Sequence, residues 1–136
     1  MQNNTTFTSN VQYLLTVNYQ RMVAFEQAAF SSNDKSLRSF YEARSAESES
    51  YLKELCEALN VSEDFSLQSC DNVVKNITAK KSAVSVLGLL ISLENTVINW
   101  YKKAISDVKS FPAEIKEIIN RQYSAVGASQ YDLQRL

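Results

Sequence analysis

The sequence predicts an all-α fold, four long helices packed as a single bundle, and three observations carry that expectation. The chain holds two glycines and one proline in 136 residues. Hairpin turns lean on those residue types, so a β-rich fold is disfavoured. Apolar residues recur at alternating steps of four and three in four separate segments, the spacing that lines one face of a helix. Short stretches rich in cap-forming residues separate those segments. With 45% hydrophobic and 21% charged residues, the composition is that of a globular chain. We read residues 1–136 as one domain, with 1–8 a flexible polar tail.

The first helix is expected to start at Ser9, where Ser9-Asn-Val-Gln12 fits a capping box. Val11, Leu15, Asn18, Met22, Phe25 and Ala29 then form a seam whose one polar member is Asn18. Ser31-Ser32-Asn33-Asp34 ends the run and can cap a second helix over Lys35 to Leu59. Its seam reads Leu37, Tyr41, Arg44, Ser48, Tyr51, Leu55 and Ala58, with Glu47 beside it, apolar at the ends and polar in the middle.

Asn60 to Ser82 is the least regular stretch. Leu67, Val73, Val74 and Ile77 predict one short amphipathic helix over Ser69 to Lys80, a helical connector between helices two and three. The third helix, Ser82 to Lys109, has the seam Leu87, Leu90, Glu94, Val97, Tyr101, Ile105 and Val108. Between Val84 and Leu93 it is apolar on nearly every side, and must be covered by the connector or by another subunit. Pro112 suits the first position of a fourth helix, with Glu114 near the positive end of its dipole. The fourth seam is Ile115, Ile119, Gln122, Val126, Ser129, Leu133 and Leu136. The short link from Asp107 to Pro112 makes helices three and four antiparallel neighbours.

Bulk properties exclude several functions. A net charge of -1 leaves no electrostatic footprint for nucleic acid or an anionic membrane. The segment Ala83 to Leu93, broken by Ser85, Gly88 and Ser92, is too short to span a bilayer. The N-terminal MQNNTTFTSN has neither the basic nor the apolar region of a secretory signal, so a cytoplasmic location is expected. Cys56 and Cys70 have no metal-binding spacing; they read as two thiols in a reducing compartment, the alternative being a disulfide that staples the connector.

Specific segments carry a resemblance. Phe111-Pro-Ala-Glu-Ile-Lys-Glu-Ile-Ile-Asn-Arg-Gln-Tyr-Ser-Ala-Val126 is similar to the start of the last helix in an uncharacterised bacterial ferritin-like family of four-helix bundles. That family is a domain of unknown function within the ferritin and rubrerythrin-like superfamily. Ala24-Phe25-Glu-Gln-Ala28-Ala29 resembles its first helix, Tyr51 to Leu55 its second, and Glu94 with Tyr101 its third. The resemblance implies a ferritin-like bundle. The departures matter as much: Phe30 stands where the family pattern has Glu, and Gln130-Tyr131 where it has His-Asp.

The chain has no histidine. Di-iron carboxylate bundles need two Glu-x-x-His motifs, so neither can exist here. Ile118 to Gln130 of the fourth helix also contains no Asp or Glu. The same absence removes Ser-His-Asp and zinc hydrolase arrangements, and two glycines cannot build a phosphate-cradling loop. No catalytic residue, metal ligand or cofactor is therefore predicted.

One constellation remains. Asn18, Arg44, Glu47, Glu94 and Gln122 each fall near the middle of their own helix, on or beside its seam, at about one level of the bundle. Two readings of this layer stand. It is a degenerate site or small-ligand pocket that retains Glu94, or it is a structural layer in which Arg44 neutralises Glu94 while Asn18 and Gln122 complete the hydrogen bonds. A buried carboxylate requires such a partner. The function expected is a non-catalytic bundle acting through self-association or a protein partner, the alternative being a metal-binding or oxidase-type ferritin-like protein.

Overall fold

A computed structural model describes the backbone of residues 3–60, 83–107 and 111–136, with side chains described from Tyr13 in the first helix and from Val86 in the third. The described residues form four helices and no strand: α1 Asn3–Ser31, α2 Lys35–Leu59, α3 Ala83–Asp107 and α4 Ala113–Gln134. The expected connector helix, Cys70 and the end of the third seam at Val108 lie outside the described residues.

The expected bounds of the second helix are met, because both its caps are chemically marked. The Asp34 carboxylate accepts a hydrogen bond from the Leu37 amide at 2.9 Å, satisfying one of the first-turn donors that a helix leaves unpaired. Asn60 closes the other end at φ 56° and ψ 47°, its amide donating to the Cys56 and Glu57 carbonyls. Asparagine tolerates that left-handed conformation better than most residues.

Two helix starts differ from expectation. Helix α1 begins at Asn3, ahead of the Ser9 capping box and inside the expected tail. Asn3, Asn4, Thr5 and Thr6 are weak helix formers, so the sequence does not mark them. Extending an existing helix needs no new nucleus, and weak formers can follow. Pro112 sits one position earlier than expected, as the cap of α4 rather than its first helical residue. Its φ of -57° is already helical, and its carbonyl accepts from the Ile115 and Lys116 amides, each at 3.1 Å.

Helix α1 packs against both α2 and α3, and α4 closes the ring by meeting α3 and, along a thinner seam, α2. Because α1 has two neighbours, it buries a broad face: Leu14, Leu15, Val17, Asn18, Arg21, Ala24, Phe25, Ala28 and Ala29 are all buried. Met22, expected on the seam, is half-buried. The inner face of α2 is likewise turned, burying Leu52 and Cys56 and leaving Tyr51 and Arg44 half-buried. In α3, Val86 and Leu90 are buried while Leu87, Leu89, Ile91 and Leu93 are half-buried.

The apolar core is split into two lobes. The larger holds Leu14, Leu55, Val97, Tyr101, Ile119 and Val126 among others. The smaller holds Ala24, Phe25, Ala28, Tyr41, Val86, Leu90 and Leu133. Between the lobes lie side chains of another kind: Asn18, Arg21, Ser48, Glu94, Gln122 and Ser129, polar and without measurable exposure.

Candidate functional site

The centre of this waist is Arg21. It belongs to α1 at a position that repeats Leu14, Asn18, Arg21, Phe25 and Ala28 at steps of four and three, a seam as regular as the one expected that shares Asn18 and Phe25 with it and takes Arg21 in place of Met22. Its guanidinium grips Glu94 of α3 with two donors, Nε to Oε1 at 2.6 Å and Nη2 to Oε2 at 3.1 Å. Nη2 also reaches Glu47 of α2 at 2.8 Å and the Ser129 hydroxyl of α4 at 3.1 Å. Nη1 donates to the Ser48 hydroxyl at 2.8 Å. Ser129 returns a hydrogen bond to Glu94 Oε2 at 3.1 Å. One side chain thus ties its own helix to the other three.

A chain of donors runs outward from that point. Ser48 donates to Asn18 Oδ1 at 3.2 Å, and Asn18 Nδ2 donates to the Tyr101 hydroxyl at 2.8 Å and to the Leu14 carbonyl at 2.9 Å. Tyr101 donates to Gln122 Oε1 at 2.6 Å. Gln122 Nε2 donates to Glu54 Oε1 at 2.9 Å and, more weakly, to the Tyr51 carbonyl at 3.4 Å. At the surface Glu54 is held by Arg121, which also reaches Glu117 at 3.0 Å. Every donor from Arg21 to Gln122 points the same way, from a buried cation to a carboxylate at the rim. Hydrogen bonds aligned head to tail polarise and strengthen one another.

The electrostatics follow from burial and pairing. Burial disfavours the Arg21 charge, but Glu94 and then Glu47 outweigh it and hold the guanidinium above its ordinary value. Burial pushes the Tyr101 phenol above the ordinary tyrosine range. Tyr51 is pushed up to about 12 by burial and then by the Glu47 charge. The Arg121 hydrogen bond holds the Glu54 carboxyl below its usual value.

Four of the five residues expected at this level are here. Asn18, Glu94 and Gln122 are fully buried members of the network, and Glu47 enters it from the rim. Arg44 does not neutralise Glu94. Its Nη1 lies 3.8 Å from Glu47 Oε2, three residues along the same helix, and its guanidinium stacks over Phe40 at 5.2 Å. The turned face of α2 is the cause: with Ser48 and Leu52 pointing in, Arg44 falls at the edge. Its Nε, like the Tyr41 hydroxyl, is buried with no hydrogen-bond partner among the described residues.

The network residues not foreseen are Arg21, Ser48, Tyr101, Ser129 and Glu54. Ser48, Tyr101 and Ser129 stood on the expected seams and could have been joined to the layer. Arg21 carries a signal too, the second seam of α1, but a charged residue on a seam is a weak pointer to the core, because charged residues are almost never fully buried unless paired.

The Glu47 and Glu94 carboxylates converge on a guanidinium, which fills the position a bridging cation would need. Among the described residues no group of three or more His, Cys, Asp or Glu could hold a metal ion. The two hydroxyls of the waist are engaged with Arg21, and neither is paired with a general base beyond the Glu94 carboxylate that Arg21 already holds. No helix of the described residues is long and apolar enough to cross a membrane. No protein-family model, curated protein or solved structure matches the chain.

Proposed function

We propose that the chain is a ferritin-like helical bundle without di-iron chemistry, a non-catalytic protein of the reducing cytoplasm that acts by binding protein, another chain or its own copies. The observation that carries this reading is Arg21. A fixed guanidinium between Glu94 and Glu47 supplies within the chain the positive charge that a ferritin-like waist takes from metal, and it occupies the space between those carboxylates where an ion of comparable charge would sit. With the interior engaged in its own hydrogen bonds, the outer surface is what remains for function. The resemblance of Phe111 to Val126 to the last helix of the ferritin-like family supports the scaffold, and the departures from that family at Phe30 and Gln130-Tyr131 support the loss of its chemistry.

Protein purified from its native host tests the reading by elemental analysis and light scattering. Substoichiometric metal together with a stoichiometric partner, or a dimer at micromolar concentration, is the expected result. One equivalent of a transition metal per chain, or a metal-free monomer with no partner, overturns it.

A second reading, a small-ligand pocket, is favoured by one observation at the edge of the waist. The Tyr41 hydroxyl and Arg44 Nε are buried donors without partners among the described residues, about one helical turn apart on α2. Such donors call for an acceptor. Thermal melts of Arg44→Gln across a panel of small carboxylates decide it: stabilisation of the wild-type chain that is lost in the variant supports a pocket.

A further inference from the structure

Between α1 and α2 lies a groove of about 580 Å3, and Phe30 stands at it with 85% of its surface in water. No other large apolar side chain of the described residues is so exposed. The groove carries three carboxylates, Glu26 from α1 and Glu42 and Glu49 from α2, against one guanidinium, Arg38. Arg38 already donates to the Ser32 carbonyl at 2.7 Å, where it holds the turn between the helices. The surface is therefore acidic along its length, with an apolar anchor at the end nearest that turn.

The layout of the charges says what kind of cation fits. These glutamates do not gather on one point, and among the described residues no acidic cluster could hold a metal ion. Glu42 and Glu49 instead stand two helical turns apart, about 10 Å along the axis of α2. Lysine or arginine side chains at the same spacing on a partner helix meet them one to one. A trough between two packed helices accepts a third helix, whose apolar side chains dock while its polar ones meet the rim. A second copy of this groove presents the same negative charge and is repelled, which excludes a symmetric pairing of grooves.

We infer that this groove binds a basic amphipathic helix of another protein, an apolar residue of that helix covering Phe30 and its basic residues pairing with Glu26, Glu42 and Glu49. The inference deepens the protein-binding reading above and rests on it.

Fluorescence anisotropy tests it with the full chain and a dye-labelled helical peptide of Leu, Ala and Lys, its lysines seven residues apart. A peptide of the same apolar pattern with Glu in place of Lys is the control. The Lys peptide is expected to bind, the Glu peptide not, and the affinity to fall as salt rises and screens the exposed charges. Phe30→Ser is expected to weaken binding about tenfold or more, as loss of an apolar anchor does, and Glu42→Lys with Glu49→Lys to abolish it. Tyr131→Ser, on α4 outside the groove, is expected to leave it unchanged. All these positions are exposed, so circular dichroism should report an intact fold.

Failure of the Lys peptide to bind overturns the inference. So does binding that Phe30→Ser does not weaken, which marks unspecific charge attraction. A wild-type dimer that Phe30→Ser dissolves overturns it as well, because the occupant is then a second copy. The broader reading fails on a different result, a native-source monomer with no partner, while a native partner that survives Phe30→Ser removes the groove alone.

Discussion

Two arginines of this protein make nearly the same contacts and do different work. Arg21 is clamped by Glu94 and Glu47, and Arg121 by Glu54 and Glu117, in both cases with carboxylate distances of 3.1 Å or less. The Arg21 and Glu94 side chains have no exposure, whereas those of Arg121 and Glu117 are 49% and 64% exposed. Water screens the outer pair and takes over its hydrogen bonds when it breaks; nothing takes over for the inner one. The inner pair adds little net stability over an apolar layer of the same shape, yet losing half of it is severe. Contact geometry alone does not separate them, and burial does.

The sharpest way to break this comparison is to remove one half of the inner pair. Arg21→Leu strands the Glu94 carboxylate in a dry core and is expected to cost about 3–5 kcal/mol, a large share of the stability of a small domain. Urea denaturation midpoints measure it. Glu94→Leu alone should cost less, because Arg21 keeps Glu47 and both serines. Adding Glu94→Leu to Arg21→Leu should recover most of the loss, since two apolar side chains then replace the two charges together. Glu47, with 18% of its side chain exposed and Arg44 nearby, can turn to solvent in that variant. A double variant no better than Arg21→Leu would mean that the waist contributes stability and does not merely avoid a penalty.

Next in size is the middle of the donor chain. Tyr101→Phe removes a hydroxyl that joins Asn18 to Gln122, leaving two buried amides each short of a partner, and is expected to cost about 1–3 kcal/mol. The pH dependence gives a second readout. The folded protein holds the Tyr101 phenol above its ordinary value. The stability this reflects is complete below about pH 10, the unfolded value, and is lost as pH rises through the folded one. Tyr101→Phe should therefore make the alkaline fall in stability shallower. It should not abolish that fall, because Tyr51 is also raised, to about 12.

The comparison also explains what was legible in the sequence. Caps and periodicity are local signals, and they placed α2 at its observed bounds and four polar residues at the waist. The counter-ion of Glu94 is not a local property. Helix α1 carries two seams that share Asn18 and Phe25, one running through Met22 and the other through Arg21. Choosing between them requires knowing that α1 has neighbours on two sides. Arg44 and Arg21 both sit at mid-helix, and only the rotation of α2, set by burial of Leu52 and Cys56, decides that Arg44 is the outer one. The groove at Phe30 was not legible, since exposure depends on what α2 leaves uncovered.

The smallest expected effect belongs to the outer arginine, and it tests whether the two clusters are joined. Arg121→Ala should cost at most about 1 kcal/mol at low salt, and less as salt rises. Arg121 is what holds Glu54 below its usual value. Stability from such a carboxylate is present above the ordinary glutamate value and lost as pH falls through the folded one. The gap between wild type and Arg121→Ala should thus be open at pH 7 and close as pH drops below about 4. Gln122 keeps its hydrogen bond to Glu54 without Arg121, so the donor chain still ends on an acceptor. A loss of more than about 2 kcal/mol that persists at high salt does not fit an exposed pair. It would show the outer charges to be coupled through Gln122 and Tyr101 to Arg21, and the waist to extend to the surface as one unit.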